Sequence, residues 1–266
     1  MKARKKYGQH FLENAWADKL IAAIGPSARD RFLEIGPGPG ALTVRLAAAV
    51  AHVTAVEVDP EMVGALRSRV PSNVTIVHQD FLAFDLAAFA RESREPLRIA
   101  GNLPYNISSP ILFTLLRAHR DGAPIADATL MLQREVADRI EAKPGTKDYG
   151  TLSIFVQLRA RVRRVLALPP GAFRPSPKVH SAVLRLDFHD PEATVSDEDI
   201  FERLVRSIFT ERRKTLSNAL RRFAEEHGLD PREAIDRAGL DGIRRPETLQ
   251  LTELARLADV FSSSPA

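Results

Sequence analysis

The sequence predicts an α/β protein: a mostly parallel sheet with its last strand antiparallel, helices on both faces, and a small all-helical domain after it. Three observations carry this. Short β-rich runs alternate with stretches of helical period through residues 1–190. A glycine-rich turn joins the first of those strands to the helix that follows. From Ser196 onward only helical patterns remain.

Taken in order, strands are expected at 31–36, 52–59, 73–80, 97–102 and 128–133, with helical periodicity at 41–49, 60–69 and 110–118. Strands alternating with helices imply right-handed crossovers and a parallel sheet. A helix is expected from Tyr149 to about residue 158, then strands at 162–168 and 179–186. Between these last two lies Pro169-Pro170-Gly171-Ala172-Phe173-Arg174-Pro175-Ser176-Pro177, stiffened by four prolines. The texture changes at His189-Asp190-Pro191, so the expected division is a domain of 1–190 and a helical domain of 191–266. Ser196-Asp197-Glu198-Asp199 has the chemistry of a helix start, and Ile200, Phe201, Leu204, Val205 and Ile208 form an apolar stripe behind it. Further helices are expected at 214–226, 231–238 and 252–261.

Composition narrows the function. The chain of 266 residues has no cysteine, which excludes disulfides, thiolate catalysis and sulfur-ligated zinc; no metal site is expected. No apolar run is long enough for a bilayer, and no signal-peptide core follows the basic start. Residues 1–190 carry 26 Lys and Arg against 19 Asp and Glu, a net of +7, while 191–266 carry 12 against 15, a net of −3. A polyanionic partner would therefore meet mainly the larger part.

Phe32-Leu33-Glu34-Ile35-Gly36-Pro37-Gly38-Pro39-Gly40 runs from strand to helix, its glycines permitting a tight turn and close approach of a ligand. Such a loop serves a dinucleotide, S-adenosylmethionine or no ligand at all. The carboxylate of Glu34, two residues before Gly36, is of no use to a phosphate but suits a sulfonium bearing an amino-acid end. That favours S-adenosyl-L-methionine and a Rossmann-like class I methyltransferase sheet. Glu57 ends the second strand, where a carboxylate accepts both ribose hydroxyls; the competing reading is a cap for the next helix, with Asp59 its nearest rival. Asp80 ends the third strand and would accept the adenine amino group of the cofactor, with the Phe81 N–H facing the ring; it too could be only a cap. Gln9, His10 and Leu12 precede the first of these strands; His10 and Leu12 would cover the cofactor, and Gln9 would reach its methionine end.

Gly101-Asn102-Leu103-Pro104-Tyr105 ends the fourth strand and is the most specific feature. The exocyclic nitrogen of adenine is a poor nucleophile because its lone pair is delocalised into the ring. Two acceptors, Asn102 Oδ1 and the Leu103 carbonyl, would hold both its hydrogens and favour a pyramidal nitrogen. Pro104 stiffens the turn, and Tyr105 offers a ring for a flipped base. Phe173 would close on the other face of that base. No strong base is needed before transfer, so catalysis would be mainly positioning and electrostatics.

These residues resemble the ribosomal RNA adenine N6,N6-dimethyltransferase family, most closely its bacterial small-subunit type. The resemblance spans nearly the whole chain: Tyr7–Leu12, Glu34–Gly38, Gln79-Asp80, Gly101–Ser108, Met131–Val136, Tyr149–Ser153, Phe173–Val179 and Phe209–Leu216. It implies S-adenosylmethionine as cofactor, bound by His10, Leu12, Gly36, Glu57, Asp80 and Asn102. His10 stands where many relatives carry Asn. The implied reaction places two methyl groups on each of two adjacent adenines in a hairpin loop near the 3′ end of 16S rRNA, within the immature 30S subunit. A cytoplasmic monomer is implied, with no DNA or membrane partner. The alternative is a large-subunit rRNA adenine methyltransferase of the macrolide-resistance type. Arg212, Arg213, Lys214, Arg221 and Arg222 are expected to contact RNA phosphates from the helical domain, and Arg159, Arg161 and Arg163 to share a strand face as a second basic patch.

Overall fold

The computed structural model describes residues 9–93 and 95–262. The basic start, residues 1–8, lies outside them, as does the tail 263–266. Among the described residues no helix is long and apolar enough to cross a membrane. The chain divides into two compact units.

The first unit takes the described residues up to Ala137 together with Ala160–His189. Its elements are β1 (Phe11–Leu12), α1 (Asn14–Ile24), β2 (Arg31–Ile35), α2 (Thr43–Ala47), β3 (His52–Glu57), α3 (Pro60–Arg67), β4 (Val74–His78), α4 (Leu86–Arg91), β5 (Leu97–Asn102), α5 (Ser108–Arg120), β6 (Ile125–Gln133), the start of α6 (Arg134–Glu141), β7 (Ala160–Leu168), β8 (Phe173–Arg174) and β9 (Ser181–Phe188). The main sheet has the order β4-β3-β2-β5-β6-β9-β7. Strands β4, β3, β2, β5 and β6 are mutually parallel, and β9 runs antiparallel to both β6 and β7. This is the Rossmann-like methyltransferase sheet, its final strand inserted antiparallel between β6 and β7. The inner strands are buried on both faces, as Phe32, Leu33 and Ile35 in β2 and Val53, Ala55 and Val56 in β3 show, which is why they read as near-continuous apolar runs.

The chain order reverses between β2 and β5. A crevice opens at such a switch point, beyond the carboxyl ends of the strands, and it is there that ligands of open α/β sheets bind. The ends of β2, β3, β4 and β5 deliver Glu34, Glu57, Asp80 and Asn102 to it.

A second sheet is formed by β1 and β8, paired antiparallel with Phe11 opposite Arg174 and Leu12 opposite Phe173. Because side chains alternate across a strand, Arg174 points outward while Phe173 points into the core, fully buried in the cluster that holds Leu12, Leu168, Ala172 and Val183. The expectation that Phe173 stacks on a base is corrected accordingly. Its ring closes the apolar core beneath the N-terminal segment and presents no face to the crevice.

The second unit comprises Asp138–Arg159 and Asp190 onward: the rest of α6, then α7 (Thr151–Arg159), α8 (Glu198–Thr210), α9 (Leu216–Glu226), α10 (Pro231–Arg237) and α11 (Leu251–Ser262). It differs from the expected division at 190 by including 138–159. The reason is side-chain anchoring: Tyr149 is buried and its hydroxyl donates to the Leu249 carbonyl at 3.0 Å, while the Phe155 ring meets Phe201 edge-on. Helix α8 starts at Asp197, whose carboxylate accepts from the N–H groups of Asp199 and Ile200, and it buries Phe201, Leu204, Val205 and Ile208. Arg159 is the last residue of α7 rather than a strand residue; it is buried and paired with Glu198. The expected second patch therefore loses it, leaving Arg161 and Arg163 on β7, with Arg163 bonded to Asp187 at 2.9 Å.

Candidate active site

The crevice encloses about 970 Å³ of open space, its mouth included. Of the residues expected to act, Gln9, His10, Leu12, Glu34, Gly36, Gly38, Glu57, Asp80, Phe81, Asn102, Leu103, Pro104 and Tyr105 all line it, and Phe173 does not.

The glycine-rich loop is shaped by its electrostatics. Gly38 has φ +54°, a conformation that L side chains rarely adopt, and a Cβ there would press on the Phe11 ring at 3.2 Å. Its N–H donates to Glu57 Oε2 at 3.0 Å, and the Asp59 N–H donates to Glu57 Oε1 at 2.8 Å. Glu57 thus ties the loop to the end of β3 and keeps further lone pairs for a ligand. It does not cap the next helix. Asp59 does that, accepting from the Glu61 N–H at 3.0 Å ahead of Pro60 at the first helical position. Burial pushes the Glu57 carboxyl above the usual carboxylate range, although the backbone donors pull the other way.

Glu34 is 2% exposed, and its Oε2 has no hydrogen-bond partner. The neighbouring Thr43 hydroxyl is close enough to ease ionisation, yet it makes no hydrogen bond of normal geometry. Burial, with the Glu57 carboxylate adding to it, pushes Glu34 up to about 8. An orphaned carboxyl at a cavity wall is a receptor waiting for a donor or a cation.

Asp80 caps the short turn of Phe81–Ala83, its Oδ1 accepting from the Leu82 N–H at 2.9 Å. The capping alternative is therefore realised at one oxygen, while the residue still lines the crevice. Gln9 donates from Nε2 to Asp59 Oδ2 at 3.0 Å. This ties its amide to the residue that caps α3, while Gln9 still lines the crevice.

At the end of β5, a Cβ on Gly101 would lie 2.8 Å from the Ile35 carbonyl oxygen, so only glycine lets β5 approach β2 here. Asn102 Nδ2 donates to the His10 carbonyl at 2.6 Å. A carbonyl can only accept, so the amide NH2 must face it, which leaves Oδ1 as the free acceptor end. The Leu103 N–H is used by the Met131 carbonyl at 3.2 Å, which fixes the plane of the tetrapeptide. The Tyr105 hydroxyl is 2.7 Å from Ser181 Oγ on β9, and burial raises the phenol above its ordinary value. The His10 ring stacks on Tyr105, centroids 5.5 Å apart at 23°. Neither Ser181 nor the His10 carbonyl was foreseen. No local pattern marks a serine on a distant strand, or a main-chain oxygen, as part of a site.

In the helical unit Arg212, Arg213 and Lys214 lie in the turn between α8 and α9 and Arg221 and Arg222 on α9, and Lys214, Arg221 and Arg222 line one concave surface. Arg212 donates to the Tyr149 carbonyl at 3.0 Å, Lys214 pairs with Glu211 at 2.8 Å and Arg222 with Glu226 at 2.9 Å.

Comparison with known proteins gives the family. The profile of the family described as "Ribosomal RNA adenine dimethylase" matches residues 1–257. The Ribosomal RNA small subunit methyltransferase A of Acinetobacter baylyi is 42% identical over 97% of this chain and 92% of its own. That of Xylella fastidiosa is 41% identical over 97% and 95%. Among solved structures, a dimethyladenosine transferase from Plasmodium falciparum superposes with TM-score 0.79 at 25% identity, covering 93% of this chain and 96% of that one. The 23S rRNA methyltransferase ErmE gives TM-score 0.67 at 27% identity, covering 95% and 100%.

Proposed function

The chain belongs to the ribosomal RNA adenine dimethylase family, and from that membership we infer that it methylates adenines of 16S rRNA in small-subunit biogenesis, with S-adenosyl-L-methionine as methyl donor. The finer reading is that it acts at N6 of two adjacent adenines in the 3′-terminal hairpin loop, dimethylating each on the immature 30S particle. It does so as a cytoplasmic monomer whose helical domain grips RNA phosphates.

One observation carries the chemistry: the His10 carbonyl takes the Asn102 amide NH2, which leaves Oδ1 as the acceptor end of a residue that lines the crevice together with Leu103. The donor set fits the methyl donor as well. Glu34 supplies an unpartnered buried carboxyl for a cationic end, Glu57 and Asp80 supply acceptors for ribose and adenine, and Ile35, Val58 and Phe81 supply apolar wall.

S-Adenosyl-L-methionine, when bound, supplies a methyl group activated by its sulfonium. Asn102 Oδ1 and the Leu103 carbonyl accept the two N6 hydrogens and hold the amine in a pyramidal, nucleophilic geometry. Tyr105, anchored by Ser181, supports the base ring. The amine held there would accept the methyl group that the bound donor supplies, and its extra proton would leave to water from the resulting cationic nitrogen. Pre-set acceptors in a buried site supply the rate enhancement without a general base.

The test is transfer of tritiated methyl groups to immature 30S particles against naked 23S rRNA. Incorporation into 30S alone is expected; incorporation into 23S alone would establish the large-subunit alternative. The fold does not discriminate the two, since ErmE shares it; the identity to small-subunit enzymes does.

A further inference from the structure

The Tyr105 ring, assigned above as the platform of the target base, is half-buried and carries an offset stacking partner. The His10 imidazole lies nearly parallel to it, centroids 5.5 Å apart. His10 Nδ1 is 2.7 Å from the Pro175 carbonyl oxygen, which can only accept, so Nδ1 carries the proton. The carbonyl of the same residue holds Asn102, and the next two residues pair with Arg174 and Phe173. His10 is therefore fixed from three directions, and His10 and Tyr105 line the same crevice as Asn102 and Leu103.

We propose that the His10 ring occupies, in the RNA-free enzyme, the Tyr105 face that the target adenine takes, and that it swings aside as the adenine enters while its main chain keeps hold of Asn102. The proposal rests on the base-platform reading of Tyr105 and goes beyond it by assigning a gate and a source of selectivity. Moving the ring forfeits one aromatic stack and the bond to Pro175. A purine regains the stack with a larger surface. Only adenine also brings two exocyclic hydrogens to Asn102 Oδ1 and the Leu103 carbonyl; guanine offers an oxygen at that edge, and a pyrimidine stacks less. The occupied platform thus sets an opening cost that adenine offsets through both stack and amine contacts, and that any other base offsets only in part.

The experiment uses the full chain with labelled histidine and tyrosine, saturated with S-adenosylhomocysteine so that a free nucleotide cannot take the cofactor cavity, with Tyr105 signals assigned by their loss in Tyr105→Ala. His10 signals are assigned by their loss in His10→Asn, and adenosine monophosphate is titrated against inosine monophosphate, which lacks the amine. The His10 ring signals should start ring-current-shifted and move toward those of an exposed histidine with the adenylate only. His10→Ala should bind adenosine monophosphate about 3- to 10-fold more tightly, because the competing ring is gone. A response of Tyr105 to the adenylate with His10 unmoved, or unchanged affinity in His10→Ala, would overturn the gate and leave the platform standing. No response from either ring, or the same response in Tyr105→Ala, would overturn the platform reading and the gate with it.

Discussion

The side chain of Asn102 is oriented by the main chain of His10, with Nδ2 2.6 Å from a carbonyl oxygen 92 positions earlier in the chain. A residue that ends a central strand thereby takes its hydrogen-bonding polarity from an N-terminal segment.

Asn102→Asp tests that relationship. A carboxylate cannot donate to the His10 carbonyl, so it turns away and its charge no longer meets the amine in the same geometry. Single-turnover methyl transfer should fall by roughly 100-fold or more, while RNA affinity measured by filter binding changes little. Near-normal turnover would remove the amide from the mechanism.

Glu57→Ala removes the acceptor for both the Gly38 and Asp59 N–H groups. Cofactor affinity by calorimetry should weaken by about tenfold or more, as expected when a hydrogen bond to a charged group is lost. The far-UV spectrum should be unaltered. Equal affinity in mutant and wild type would contradict the assignment.

Phe173→Ala should act on stability, since the ring is fully buried in the core. A loss of roughly 3–5 kcal/mol in denaturant unfolding is expected. If stability is preserved and only turnover collapses, the base-stacking role of Phe173 must be restored.

Glu34 gives the pH dependence. Burial lifts its carboxyl from 4.5 to about 8, so between those values the folded chain holds a proton that the unfolded chain releases. This contribution to stability is complete below the lower value and is lost as pH rises through the upper one. The ligand-free thermal midpoint should therefore drop from about pH 6 to about pH 9 by more in wild type than in Glu34→Gln. Parallel curves for the two proteins would show that Glu34 does not titrate as described.

Much of the site was legible because its chemistry is local. The strand-to-helix turn after Phe32, the acids Glu57 and Asp80 at strand ends and the tetrapeptide from Asn102 to Tyr105 are each written in a few adjacent residues, and strand order then brings the ends together. Arg159 misled because alternation with Arg161 and Arg163 looks like a strand, whereas the helix before it simply runs on to the pairing with Glu198. Phe173 misled because prolines on either side suggest exposure, and nothing nearby reveals that its backbone pairs with Leu12.

The sequence by itself determined the parallel sheet, the glycine-rich turn after β2 and the tetrapeptide at the end of β5, since propensity, glycine geometry and donor–acceptor chemistry act over one element at a time. Only the tertiary structure decided that His10 would stack on Tyr105 and steer Asn102, that Phe173 would belong to the core, and that Ser181 would anchor the tyrosine. Those outcomes depend on which apolar surfaces pack together across long stretches of chain, and no spacing of residues along the chain encodes that choice.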